Sequence, residues 1–161
     1  MDKDAFEKSL PAFNSILVKN LNVSITQNFV KNSAMASYIY VKARLPETAN
    51  SYRNEEGNEQ TLEFTVSYDP FYNVPVFHFR VNMLLEHVSA PCAADIHPIL
   101  QTPYLCVHLC ETATTMDEWK PESPLDYMVK WIGMVFSLVL PEVQLRYSHT
   151  SPESRVICHK S

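Results

Sequence analysis

The chain has 161 residues, 46% hydrophobic and 19% charged, with 18 acidic against 13 basic side chains and a formal net charge of -5. This length accommodates one domain with a real core and no disulfide staples. The acidic balance, without any Lys/Arg cluster, argues against a general nucleic-acid binder. Its two glycines, Gly57 and Gly133, lie far apart. Phosphate-cradling loops need clustered glycines, so neither a P-loop nor a dinucleotide fingerprint can be written, and no nucleotide cofactor is expected.

The N-terminus, MDKDAFEK, is charged and lacks the apolar segment of a secretory signal. Cys92, Cys106, Cys110 and Cys158 therefore read as free thiols in a reducing compartment, and the expected location is cytoplasmic.

Phe6, Leu10, Phe13 and Leu17 recur at helical spacing, which predicts an amphipathic helix over about residues 3–19, kinked or restarted at Pro11. Residues 21–29 alternate as a strand, and 38–45 (YIYVKARL) form a second. PETANSYRNEEGNEQ, residues 46–60, reads as a mobile hairpin loop. Residues 62–68 alternate cleanly, Leu62, Phe64, Val66 and Tyr68 against Glu63, Thr65 and Ser67. A turn, Asp69-Pro70-Phe71-Tyr72-Asn73, leads to a fourth strand over 74–83. Four strands on short turns favour an antiparallel meander.

Residues 84–96 suggest a short helix or loop, and 111–122 a polar connection. Ser123-Pro124-Leu125-Asp126 is a helix-start signal, with Ser as cap, Pro in the first position and an acid three residues on. The apolar run that follows is broken by Lys130 and stops at Pro141, well short of the ~18–20 residues that span a bilayer. It predicts a buried core helix. From Ser148 onward the chain reads as a polar tail.

The stretch His97–Thr112, HPILQTPYLCVHLCET, concentrates the chemistry. Extended, it puts Leu105, Val107 and Leu109 on one face and Tyr104, Cys106, His108 and Cys110 on the other. Cys110 lies where an apolar strand gives way to polar sequence, a position open to a large partner. Cys106 lies in mid-strand and reads as a small core hydrophobe. As a nucleophile Cys110 has His108 two residues away, and it needs such help, because an unassisted thiol of pKa about 8.5 is only a few per cent ionised at neutral pH. As a zinc site, Cys92, His97, Cys106, His108 and Cys110 supply enough ligands, but the run lacks the tight paired-cysteine turns of a zinc knuckle, so no structural zinc is expected. As plain structure, His78, His97 and His108 are satisfied core or edge histidines. For His97 this reading is favoured, with the ring bonded to nearby backbone beside Pro98.

Taken together and in order, VPVFHFR (Val74 to Arg80), HPILQTPYLCVHLCET and KWIGMVFSLVLP (Lys130 to Pro141) resemble the autophagy ubiquitin-conjugating-like enzymes of the autophagy protein ten family. The resemblance covers about residues 62–147 and includes the turn Tyr72-Asn73-Val74-Pro75-Val76. It implies an α+β, variant ubiquitin-conjugating fold: N-terminal helix, four-stranded antiparallel sheet, thiol-bearing segment and buried C-terminal helix. Residues 1–147 would form a single catalytic domain and 148–161 the tail. The resemblance also implies an enzyme that accepts a ubiquitin-like modifier, autophagy protein twelve, from the activating enzyme autophagy protein seven. The modifier would be held as a thioester and passed to a lysine of autophagy protein five. By position Cys110 matches the family's catalytic cysteine, His108 the histidine of its His-Pro-Cys triplet, and Tyr72 a tyrosine of its active-site wall. Leu109 stands where the family usually has proline. His108, Asn73 and the Tyr72 hydroxyl are the candidate donors to an oxyanion, His108 first. The other reading is a non-catalytic adaptor that keeps the fold and binds a modifier or partner through its sheet.

Overall fold

A computed structural model describes residues 1–45, 60–82, 92–107 and 111–147. Helix α1 (Lys3–Asn20) is capped by Asp2, whose carboxylate accepts from the Ala5 N–H, and it buries Phe6, Leu10, Phe13 and Leu17. It runs through Pro11 without a break, contrary to the expected restart. A mid-helix proline costs about 3 kcal/mol, whereas burying each large apolar side chain returns roughly 1.5–3 kcal/mol. Four such side chains hold the helix together.

Strands β1 (Ser24–Lys31), β2 (Tyr38–Arg44), β3 (Thr61–Asp69) and β4 (Val74–Val81) form the expected antiparallel meander. The first begins later than its apolar alternation suggests, because Leu21 instead bridges to Leu145 beyond the last helix. The sheet is larger than the expected four strands. Strands β5 (Cys92–Ile96) and β6 (Pro103–Val107) extend it to six in the order β1-β2-β3-β4-β6-β5. Residues 92–96 are thus a strand and not a helix or loop, and Cys92 lies within it, opposite Val107. The polar connection is also corrected, since residues 112–118 form helix α2 (Thr112–Glu118), anchored by buried Thr112 and Met116.

Helix α3 (Pro124–Val139) starts where its signal lies: the Ser123 hydroxyl accepts from the Asp126 N–H at 3.1 Å, and the Asp126 carboxylate accepts from Glu122 N–H at 2.9 Å. With α1 it covers one face of the sheet, burying Met128, Trp131, Ile132, Val135 and Phe136. Phe136 meets Phe64 and Phe77 edge-on at centroid distances of 5.7 and 5.6 Å. No described helix is long and apolar enough to cross a membrane. The expected loop over 46–59 and the tail 148–161 lie outside the described residues, as do His108, Leu109 and Cys110.

Candidate active site

Two structures flank the thiol-bearing segment, and both are built from strand alternation. Along β3 and β4, Leu62, Phe64, Val66, Phe77 and Phe79 point into the core under the helices. The register pairs Glu63 with Arg80, Thr65 with His78 and Ser67 with Val76, so these residues occupy the opposite face. β6 joins in the same phase: His78 stands opposite Cys106 and Phe79 opposite Leu105. As the sequence predicts, Leu105 and Val107 pack on the core while Tyr104 and Cys106 share the other face.

Cys106 is therefore not a core residue. It is half-buried on the face away from the helices, beside His78. Burial, reinforced by the nearby Asp95 charge, pushes its thiol up to about 11. Burial raises the Cys92 thiol as well. Both remain protonated at neutral pH and are poor nucleophiles.

His97, fully buried, folds over this face from the turn that precedes β6. Its Nδ1 accepts from the backbone N–H groups of Ile99 and Leu100, each at 3.1 Å. The proton must then sit on Nε2, which donates to Thr65 Oγ1 at 2.7 Å. This is the backbone-bonded histidine that the sequence suggests. Burial, together with neighbouring His78 and Arg80, lowers its pKa to about 4. The His78 ring lies 4.5 Å from that of His97, centroid to centroid. It is buried, but its Nδ1 has no hydrogen-bond partner among the described residues, so it is not the satisfied histidine expected. Next to the pair, the Tyr104 hydroxyl and Arg80 both bind Glu63, and the Arg80 guanidinium lies 4.3 Å above the Tyr104 ring. Burial opposes ionisation of Glu63, but the Tyr104 and Arg80 hydrogen bonds hold its carboxyl below the usual range. Sequence reasoning missed this network. Its one signal was a row of polar residues, Glu63, Thr65 and Ser67, alternating against core positions.

The second flank is the turn between β3 and β4. Asp69 Oδ1 accepts from the N–H groups of Phe71 (2.7 Å) and Tyr72 (2.9 Å), closing the turn with its own side chain. Asn73 adopts φ 56°, a left-handed conformation that asparagine tolerates better than most residues. Its Oδ1 accepts from the Tyr68 hydroxyl at 3.1 Å, and the same hydroxyl lies 2.9 Å from the Met1 carbonyl. The turn thus presents an exposed Tyr72 ring, edge-on to Phe71, on a braced backbone.

The register relates the two flanks. β6 runs antiparallel to β4, with Leu105 opposite Phe79 and Cys106 opposite His78, so it travels toward the start of β4. By the same register its last residue, Val107, lies level with Phe77, three residues short of the start of β4 at Val74. The exit of β6 is therefore directed toward the end of the sheet that carries Tyr72. His108 and Cys110 fall outside the described residues, between Val107 and the start of α2 at Thr112. Among the described residues no three His, Cys, Asp or Glu side chains converge as a metal site.

Comparison with known proteins agrees with this architecture. The family model of the autophagocytosis-associated protein active-site domain matches residues 16–145. The ubiquitin-like-conjugating enzyme ATG10 of Candida albicans is 24% identical, over 88% of this chain and 89% of its own length.

Proposed function

The chain belongs to the family of autophagocytosis-associated proteins and is a ubiquitin-like-conjugating enzyme; from that premise we propose that Cys110 is the residue that carries the modifier as a thioester. The observation that supports this assignment most is the state of the other described thiols. Cys106 is held protonated by burial and Cys92 is raised likewise, so neither supplies a thiolate at neutral pH. In the sequence Cys110 comes three residues after β6, where the chain turns polar, and β6 runs toward the end of the sheet that carries the exposed Tyr72.

In the reaction, the Cys110 thiolate attacks the thioester that joins the C-terminus of the modifier to the activating enzyme. A tetrahedral oxyanion forms, the activating enzyme's thiolate leaves, and the modifier is bound to Cys110. The amine of an acceptor lysine then attacks this second thioester and forms an isopeptide bond, with Cys110 thiolate as leaving group and the amine proton passing to solvent. Each oxyanion needs positioned donors. His108 is the first candidate, followed by the Asn73 amide and the Tyr72 hydroxyl of the braced turn. The activation energy enters upstream, in keeping with a chain that has two glycines and no phosphate loop. The modifier is autophagy protein twelve, the activating enzyme autophagy protein seven and the acceptor autophagy protein five, acting in the cytoplasm.

The test is a charging assay with activating enzyme, modifier and ATP. Wild type gives a higher-mass band that reducing agent removes. Cys110→Ser gives a reductant-stable oxyester or no band, whereas Cys92→Ser, Cys106→Ser and Cys158→Ser keep the labile band. His108→Ala charges but discharges more slowly, by roughly 10²–10³ if it equals a single oxyanion donor elsewhere. A labile band in Cys110→Ser would sink the assignment.

A further inference from the structure

A groove of about 810 Å³ runs along the second half of α3 and the chain that follows it. Its walls carry three exposed apolar side chains, Trp119, Leu138 and Tyr147, and the half-buried Met134. It is distant in the fold from the Tyr72 turn. The start of α3 lies on that side, where Pro124 adjoins Asp2 and Lys3 next to the Met1 carbonyl that accepts from Tyr68, and the groove begins further along.

Two features of the groove are not explained by the fold itself. Gly133 sits in the middle of α3, where glycine costs roughly 1 kcal/mol relative to alanine. A Cβ placed there would meet nothing within 4 Å, so no packing within the described chain requires its absence. A glycine in a regular element with open space beside it permits another backbone to approach closely. The second feature is charge. The chain carries 18 acidic and 13 basic residues, yet among the described residues the charged ones that line the groove are Lys130 and Arg146, without a carboxylate. Lys130 is shared with Asp126 at 2.7 Å beneath it; Arg146 is exposed. Glu118 and Glu142 adjoin lining residues in sequence but do not line it.

We propose that this groove docks an acidic amphipathic α-helix of a partner protein. Lys130, Met134 and Leu138 stand four residues apart on α3 and form one ridge. Beside it the missing side chain at Gly133 leaves a furrow, the arrangement that receives the ridge of a second helix. Among the described residues no residue of β1–β6 lines the groove, and Leu145 makes only the single bridge to Leu21, so no strand edge is offered there. The apolar side of the partner helix covers Trp119, Met134 and Leu138, its carboxylates face Arg146 and Lys130, and its backbone comes closest at Gly133. Some four turns, or about 16 residues, match the length of α3.

The experiment titrates the full, isotope-labelled chain with a peptide of about 16 residues that has Leu at helical spacing and Glu on its other face. A second peptide has Lys in place of Glu. The Glu peptide is expected to shift the amide resonances of residues 129–138 and 143–147, and to bind at least about tenfold tighter than the Lys peptide. Arg146→Glu should remove that preference without moving the unfolding midpoint. Gly133→Leu should block binding while the chain stays folded. Equal binding of both peptides overturns the charge argument, and shifts confined to other elements, or none, overturn the site. Contacts in the free chain between residues 148–161 and Gly133 overturn the partner reading in favour of an occupant from the same chain.

Discussion

His97 and Thr65 are joined by a hydrogen bond of 2.7 Å between side chains buried on the face of the sheet away from the helices. One end of this bond is in the middle of β3, and the other is in the turn that returns the chain to the sheet as β6. The bond thereby ties the segment leading toward Cys110 to the central strands. The two backbone N–H groups held by Nδ1 shape the turn itself.

Thr65→Val keeps the shape of the side chain and removes the acceptor, leaving the His97 Nε2–H buried without a partner. Such a group costs about 1–3 kcal/mol. Denaturant unfolding should show a loss in that range, with the slope unchanged. A neutral result would mean that the ring is held by its backbone contacts alone.

Stability should also fall in mild acid. The pKa of His97 drops from 6.5 to about 4 on folding, so between these values the unfolded chain binds the extra proton. Stability is then present above about pH 6.5 and is lost as pH falls toward 4, by on the order of 3 kcal/mol, at 1.36 kcal/mol per unit. Burial lowers His78 as well, against the opposing Asp95 charge, and it adds in the same direction. Unfolding free energies measured across pH 4–7 check this, with His97→Gln as the comparison. An equal pH slope in both proteins would exclude His97 as the source.

Trp131→Ala should be severely destabilising. The side chain is 1% exposed between α3 and the rest of the core, and truncating a buried Trp costs roughly 3–5 kcal/mol. A thermal midpoint lowered by only a degree or two would contradict the packing described for α3.

The thiols should differ in reactivity. With Cys106 raised to about 11 and Cys92 raised by burial, iodoacetamide at neutral pH should label both slowly in the folded chain and quickly after denaturation. Peptide mass spectrometry reads each site separately. Rapid labelling of Cys106 in the native protein would reopen it as a carrier of the modifier.

Much of this fold is local and can be read from the order of residues. The apolar stripe of α1, the β-rich run of β2, the alternation in β3, the strand after the Asp69–Asn73 turn and the Ser123–Asp126 cap each act within a few positions, and the structure keeps them. The alternation also placed Tyr104 and Cys106 together, and the backbone bonds of His97 followed from its neighbours. β5 and α2 were not legible in this way. β5 is five residues long and mostly exposed, without an apolar period, and it becomes a strand because β6 pairs with it. α2, TATTMDE, has three threonines, which disfavour helix, and is held by burying Thr112 and Met116. The insertion of β6 between β4 and β5 likewise depends on pairing between distant segments. It is this pairing that decides the surroundings of Cys106 and directs the exit of β6 toward the end of the sheet that carries Tyr72. Residue identity supplied the reactive groups, but burial and register depend on chain segments brought together only by folding.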